Sequence, residues 1–456
     1  MSKYNIFTFC VIFFGLFSCS EKKKDSIIID ENPPQEEQRP TSFASDDIFL
    51  DYIQKVHFNY MWEGAEENSG LARERIHIDG NYPLNDQNII TTGGSGFGIA
   101  GLIVGMERGF ISREEGLQRL VKIVTFLEKA DRYHGVWSHW IDGKTGKTKP
   151  FGTKDNGGDL VESAFLMQGL LCVRQYFKDG TEAEKQLATR IDTLWKEMDW
   201  TWYLNGKDVL YWHWSPQYEW QMNFPLEGYN ECLITYILAA SSPTHSIPAS
   251  AYHNGWARSG AIKSSQTTYG LPLILKHNGD EAYGGPLFWA HYSYIGLNPK
   301  GLSDDYANYW ELNRNHTLIN YQYCVENPKG YKGYGADCWG LTASYSVDGY
   351  AAHTPMTNDR AVITPTAALS SFPYTPKESM AALKHFYFNL GGKLWGKYGF
   401  YDAFSEQYNW FPERYLAIDQ LTIAPMIENY RTGLLWKLFM SCPEVQNGLK
   451  KLNFKF

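Results

Sequence analysis

The chain has 456 residues, of which 16% are aromatic and 20% charged, with a formal net charge of −8. That acidity, with no basic cluster in the body of the chain, argues against a nucleic-acid partner. The length is more than one ordinary core needs but suits a single toroid or barrel.

The first residues, MSKYNIFTFCVIFFGLFSCS, place a lysine ahead of an apolar stretch from Ile6 to Phe17 and then Ser18-Cys19. This reads as an export signal, too short and wrongly flanked for a membrane span. A cysteine at that point resembles a lipoprotein processing site, although Phe17 fits the usual pattern poorly, so residues 1–18 read as a signal peptide and Cys19 as the lipidated first residue. Residues 19–45, with Lys22 to Lys24, Pro33, Pro34 and Pro40, read as a tether. The expected location is periplasmic or on the outer membrane of a Gram-negative cell, with the membrane touched only through the lipid. Residues 46–456 then form one catalytic domain.

Within that domain the periodicity predicts about twelve helices, near 46–66, 95–108, 112–131, 157–178, 181–203, 227–241, 248–260, 286–296, 302–326, 360–371, 375–391 and 418–440. No regular run of alternating strands accompanies them. The helices differ in kind by turns. SREEGLQRLVKIVTFLEKAD opens with a capping box at Ser112 and Glu115 and carries charge along one stripe, and TEAEKQLATRIDTLWKEMDW does the same. GFGIAGLIVGM, ESAFLMQGLL, ECLITYILAA, ITPTAALS and LTIAPMIENY are apolar nearly all round and rich in small residues. Solvent-facing helices alternating with enclosed ones predict an all-α, double-ring (α/α)6 toroid.

In such a ring all inner helices start at the same end, so their N-terminal turns surround one cavity. Acids cluster at those starts: Asp155, Asp159 and Glu162 in KDNGGDLVESAFLMQG, Glu227 and Glu231 at the sixth segment, Asp359 before the tenth and Asp419 in the twelfth. An N-terminal cap explains one such acid well but three poorly. Crowded, half-buried carboxylates hold protons tightly, which suits general acid catalysis.

The aromatics bunch in YHGVWSHW, in the stretch 200–220 and in PLFWAHYSYIG. Their flat faces and polar edges suit sugar rings, and they nominate Trp137, His139, Phe151, Trp212, Trp214, Trp289 and His291 as contacts, each of which could equally be core. Arg360 and Arg431 could hold carboxylates or hydroxyls, with Arg431 the more structural. Glu428 reads as a paired core acid. Of seven cysteines, Cys10 and Cys19 lie in the leader; Cys172 and Cys232 read as inert core thiols, Cys324 and Cys338 could bridge, and Cys442 completes an odd set without metal spacing. No metal or cofactor is expected.

Five segments in order, TTGGSGFGIAGLIVGMERGFISREEGLQRL, LVESAFLMQGLLCVRQYF, YNECLITYILAASSPTH, GGPLFWAHYSY and AIDQLTIAPMIENYRTGLLWKLFM, make the chain resemble the glucoamylase-like family, and within it the bacterial endo-β-1,2-glucanases of glycoside hydrolase family 144. The resemblance implies the (α/α)6 toroid. It also implies inverting hydrolysis of β-1,2-glucan, within the polymer or with release of sophorose. It assigns the essential acids to Asp155, Asp159, Glu162, Glu231 and Asp419. Glu231 is expected as general acid, with Asp159 or Asp419 as base. The expected partner is a glucan, and the expected state a monomer. The competing readings are a hydrolase of another glucan linkage, a non-catalytic glycan-binding lipoprotein and a polysaccharide lyase on the same toroid.

Overall fold

The computed structural model describes residues 39–80, 82 and 87–456. The expected signal peptide and Cys19 lie outside the described residues. The folded body runs from Phe43 to Phe456, so it starts slightly before the expected end of the tether: Phe43 stacks on Phe49 at 4.6 Å between ring centroids.

Thirteen α-helices carry the described body: α1 (Asp46–Trp62), α2 (Thr92–Glu107), α3 (Arg113–Leu127), α4 (Leu160–Phe177), α5 (Glu182–Glu197), α6 (Leu233–Ser241), α7 (Tyr309–Glu326), α8 (Pro365–Leu369), α9 (Pro376–Lys384), α10 (Gly391–Leu394), α11 (Ala417–Arg431), α12 (Leu434–Met440) and α13 (Pro443–Lys451). An inner ring runs α2, α4, α6, the 3₁₀ turns Leu287–Ala290 and Tyr292–Tyr294, α8 and α11, and closes where α11 packs on α2. Outside it lie α1, α3, α5, the π-turn Ala251–Trp256, α7 and α9. The molecule is an all-α toroid of six inner and six outer members.

Sequence explains which helix goes where. In α3 the buried residues are Gly116, Leu120, Ile123, Val124 and Leu127, one stripe at helical spacing. Both expected capping boxes form, Ser112 with Glu115 and Thr181 with Glu184. In α2 every residue from Thr92 to Met106 is buried. Its small residues let backbones touch: a Cβ on Gly96 would overlap the Phe165 carbonyl, and one on Gly169 would overlap the Gly96 carbonyl.

Several boundaries differ from the expected ones. The segment near 418–440 is two helices, because Gly433 at φ 68° breaks it. The segment near 227–241 begins only at Leu233, since Gly228 at φ 77° and the turn through Glu231 precede it. Segments 248–260 and 286–296 are short π and 3₁₀ turns rather than regular helices.

Candidate active site

Short antiparallel pairs at one end of the ring set the site. Ile89–Thr91 pairs with Trp140–Asp142, bringing His139 beside the start of α2, where the Thr92 N–H donates to its carbonyl at 3.1 Å. Gly158–Asp159 pairs with His213–Trp214, which delivers Trp212 to the start of α4. Arg75–His77 pairs with Arg414–Leu416 and fixes Glu74 and Arg75 against the start of α11. The hairpin Ala343–Ser346 with Gly349–Ala352 supplies Tyr345 and Tyr350.

These elements enclose a cavity of about 380 Å³, within the usual range for small-molecule sites of about 300–1,000 Å³. Glu162 and Glu231 open onto it, with His139, Phe151 and Trp212 on one wall and Tyr292 and Tyr350 on another.

Asp159 is the N-cap of α4. Its Oδ1 accepts from the Val161 and Glu162 N–H groups at 3.0 and 2.9 Å, and its Oδ2 from Trp212 Nε1 at 3.0 Å and His139 Nδ1 at 3.1 Å. The Glu162 Oε2 accepts from the Gly93 N–H at 2.7 Å, so an acid from α4 satisfies the first turn of α2. Burial pushes the Glu162 carboxyl up to about 8, with His139 opposing and Asp159 adding to the rise. Burial alone would lower the His139 imidazole; Glu162, Asp159 and Asp155 overcome that and hold it up to about 10. The same ring stacks on Phe151 at 4.1 Å, leaving a flat apolar face beside a cation.

Asp155 stands behind this cluster. Its Oδ1 is buried without a donor, 3.4 Å from His213 Nε2, which itself accepts the Gly157 N–H at 3.0 Å. Two acceptors face each other there unless Asp155 carries a proton, and burial followed by repulsion from Asp159 pushes it up to about 7. One ligand-type atom from each of His139, Asp155 and Asp159 lies within 4.8 Å of the others. With four donors already on Asp159, this set reads as a proton-holding cluster rather than a cation cage.

Glu231 lies two residues before α6, not inside it as expected, and Ser293 Oγ donates to its backbone carbonyl. Burial pushes its carboxyl up to about 7; Asp159 adds to the rise, while its own N–H and the Trp289 indole oppose it. Asp419, in the first turn of α11, accepts from Tyr292 OH at 3.1 Å on Oδ1. Its Oδ2 and the Oδ1 of Asp402 are both buried without donors, while Asp402 Oδ2 accepts the Tyr345 N–H at 2.9 Å. The two carboxyls face each other and are sustained only by a shared proton: burial, then mutual repulsion, holds Asp419 well above the usual carboxylate range. Tyr350 lies within electrostatic reach of Asp419, Asp402, Glu74 and Glu231 at once, so acids distant in sequence do converge.

Other expected contacts are not brought to the cavity wall. Trp137 is fully buried and its Nε1 donates to the Leu127 carbonyl at 3.1 Å. His291 is buried against Ser371 Oγ at 2.9 Å and burial lowers it to about 3. Trp214 packs edge-on against His134 and Trp202. Arg360 is exposed and donates to Asn358 Oδ1 at 3.1 Å. Trp289 is 8% exposed and packs behind Glu231. Among the acids, Glu227 pairs with Arg258 at 3.5 Å, and Asp359 accepts from Tyr323 and Tyr334 at 2.8 and 2.7 Å. Arg431 bonds to Asp47, Asp51 and Gln54, and Glu428 is paired with Arg108 at 2.7 Å, both structural. All five described cysteines are free and buried, so Cys324 and Cys338 are not bridged.

The sequence reading missed Glu74, Tyr292, Tyr350 and Asp402. Two of them left a signal: Tyr292 inside the aromatic cluster PLFWAHYSYIG, and Asp402 as a lone acid in the aromatic run YGFYDAF.

Protonated carboxyls set among acceptors at the open end of a helical toroid are the arrangement that acid-assisted glycoside hydrolysis uses. A family model described as "Glycoamylase" matches residues 223–443. An endo-β-1,2-glucanase from Chitinophaga pinensis, solved with sophorotriose and glucose, is 66% identical with a TM-score of 0.90, covering 91% of this chain and 99% of that one. The exo β-1,2-glucooligosaccharide sophorohydrolase of Parabacteroides distasonis is 48% identical over 449 residues, covering 94% of this chain; the chain spans 61% of that relative's length. An endo-β-1,2-glucanase from Talaromyces funiculosus shares the fold at a TM-score of 0.66 and 11% identity, covering 89% of this chain and 88% of that one. The chain belongs to the glucoamylase-like family that includes these bacterial β-1,2-glucanases.

Proposed function

We propose that the chain hydrolyses β-1,2-linked glucan within the polymer and inverts the anomeric carbon. Glu231 is the general acid and the Asp402–Asp419 pair the base. The observation that carries this is the buried Glu231 carboxyl, pushed up to about 7 by burial and open to the same cavity as His139, Phe151 and Trp212. Protonation of the leaving oxygen by Glu231 breaks the glycosidic bond as a water, losing its proton to the pair, attacks from the opposite face of the sugar. The pair keeps one negative charge while sharing one proton, so it can accept a second.

Asp159 suits the base role less well, because four donors occupy its oxygens. It orients His139 and Trp212, and Glu162 and Asp155 complete the polar wall. The internal mode of attack is supported by the 66% identity to the Chitinophaga endo-acting glucanase, against 48% to the exo-acting relative. Linear β-1,2-glucan incubated with the protein yields short oligosaccharides, with α-anomers appearing first by proton NMR, while starch and laminarin stay intact. Unchanged β-1,2-glucan, or release of the disaccharide alone from the first minutes, contradicts the reading.

The reading extends to residues 1–18 as an export signal and Cys19 as a lipid-anchored N-terminus, supported by the apolar run Ile6 to Phe17 ahead of the cysteine. Cys19→Ala abolishes incorporation of labelled fatty acid in the producing bacterium; undiminished labelling contradicts it.

A further inference from the structure

Away from the cavity, three segments bring Cys338, His385 and Glu406 together, with one ligand-type atom of each within 4.8 Å of the others. Cys338 closes a turn in which the Gly335 N–H donates to its carbonyl at 3.0 Å and its own N–H returns to Gly335 at 3.2 Å. His385 opens the π-turn that ends α9. Glu406 lies in a turn closed by reciprocal 2.8 Å bonds between Ser405 and Trp410.

All three have donor capacity to spare. The Cys338 thiol is 1% exposed. His385 Nδ1 lies 3.2 Å from Asp337 Oδ2 and 3.1 Å from Asn389 Nδ2, whereas Nε2 is buried with no partner. Among the described residues the Glu406 carboxylate has neither a hydrogen bond nor an ion pair. The chain approaches it through Gly333 at φ +92°, where a Cβ would crowd Oε1. A buried, unpaired imidazole nitrogen is unfavourable, so the arrangement calls for a partner at Nε2.

We propose that Cys338, His385 and Glu406 bind a borderline divalent transition-metal ion of the zinc type. Thiolate and imidazole select such an ion over calcium or magnesium. In the tautomer whose Nδ1–H donates to Asp337 Oδ2, at 3.2 Å, the Nε2 lone pair faces the ion, the carboxylate–histidine arrangement of metal sites. Bond lengths of about 2.0–2.3 Å bring tetrahedral ligands to within roughly 3.5 Å of each other, so side-chain rotation of about an ångström closes the site. A cleft of about 400 Å³ lies beside Glu406 and brings solvent to that side of the cluster. On binding, the Cys338 S–H bond is broken, the sulfur pair bonds the metal and one proton goes to solvent. The ion would tie the turn before Trp339 to the end of α9 and to the stretch that carries Asp402, four residues before Glu406.

The test uses the untagged protein, stripped with chelator, and cobalt(II) as the probe. One equivalent gives a near-ultraviolet thiolate-to-cobalt absorption that saturates, zinc bleaches it, and zinc raises the thermal midpoint. Cys338→Ser abolishes the absorption, and Glu406→Gln and His385→Gln each weaken binding at least about tenfold. Glu406→Gln, on a partly exposed side chain, carries the test if the cysteine variant does not fold. Absence of a saturable absorption, or binding unchanged in Glu406→Gln, overturns the proposal. None of these readouts depends on glucan hydrolysis, so the two readings fail separately.

Discussion

Glu231 acquires its acid character from burial, and burial also has a stability consequence. Its carboxyl, raised from 4.5 to about 7, stabilises the fold fully below pH 4.5, and that contribution is lost as pH rises toward 7. Glu231→Gln is therefore expected to lower turnover by about 10²–10⁴-fold while melting higher than the native protein at pH 8 and about equally at pH 4.5. Calorimetry at the two pH values checks it; a lower melting point at pH 8 contradicts the burial account. Native turnover should fall above pH 7 as the same proton is lost. Gly93 is a second sensitive position. A Cβ there would overlap Glu162 Oε2, so Gly93→Ala displaces that carboxylate and should reduce kcat by up to about 100-fold, read by steady-state kinetics beside an unchanged circular dichroism spectrum. The sequence marked Glu231 and Glu162 because acids are conspicuous in apolar runs. It marked Trp137 and Trp289 for the same kind of reason and misplaced them, because which side of a two-residue strand or a 3₁₀ turn faces the cavity depends on register. Trp140 reaches the wall and Trp137 does not.

Among the elements, α4 shows one residue serving fold and site together. Asp159 caps the helix through Oδ1 and holds Trp212 and His139 through Oδ2. Asparagine caps nearly as well as aspartate, whereas alanine caps poorly and leaves all four donors that Asp159 accepts from unpaired. Asp159→Ala should thus destabilise the protein by at least about 1 kcal/mol more than Asp159→Asn, measured by urea unfolding. In Asp159→Asn the His139 ring loses one of the charges that hold its proton, so its titration by NMR moves down from about 10. The long helices were legible because all-round burial and single-stripe burial differ in composition. The members at 251–256 and 287–294 were placed by the sequence but read as regular helices, since six or eight residues of aromatic chain carry too little period to tell a π or 3₁₀ turn from an α-helix. Gly433 and Gly228 cut the expected segments through backbone conformation, which hydrophobic spacing does not report.

For the whole molecule, closure of the ring couples remote parts. Because α2 and α4 meet backbone to backbone at Gly96 and Gly169, Gly169→Ala should lower the thermal midpoint by several degrees or prevent folding, with the effect spread over the single calorimetric transition rather than splitting it. Two separated transitions would contradict a cooperative ring. The closing contact of α11 on α2 also supplies Asp419, so the last long inner helix brings both the seal and the proposed base. A nascent chain still on the ribosome, lacking its final forty residues, has neither. Closing the ring and completing the acid cluster are therefore one event, reached only once the last long helix has been made.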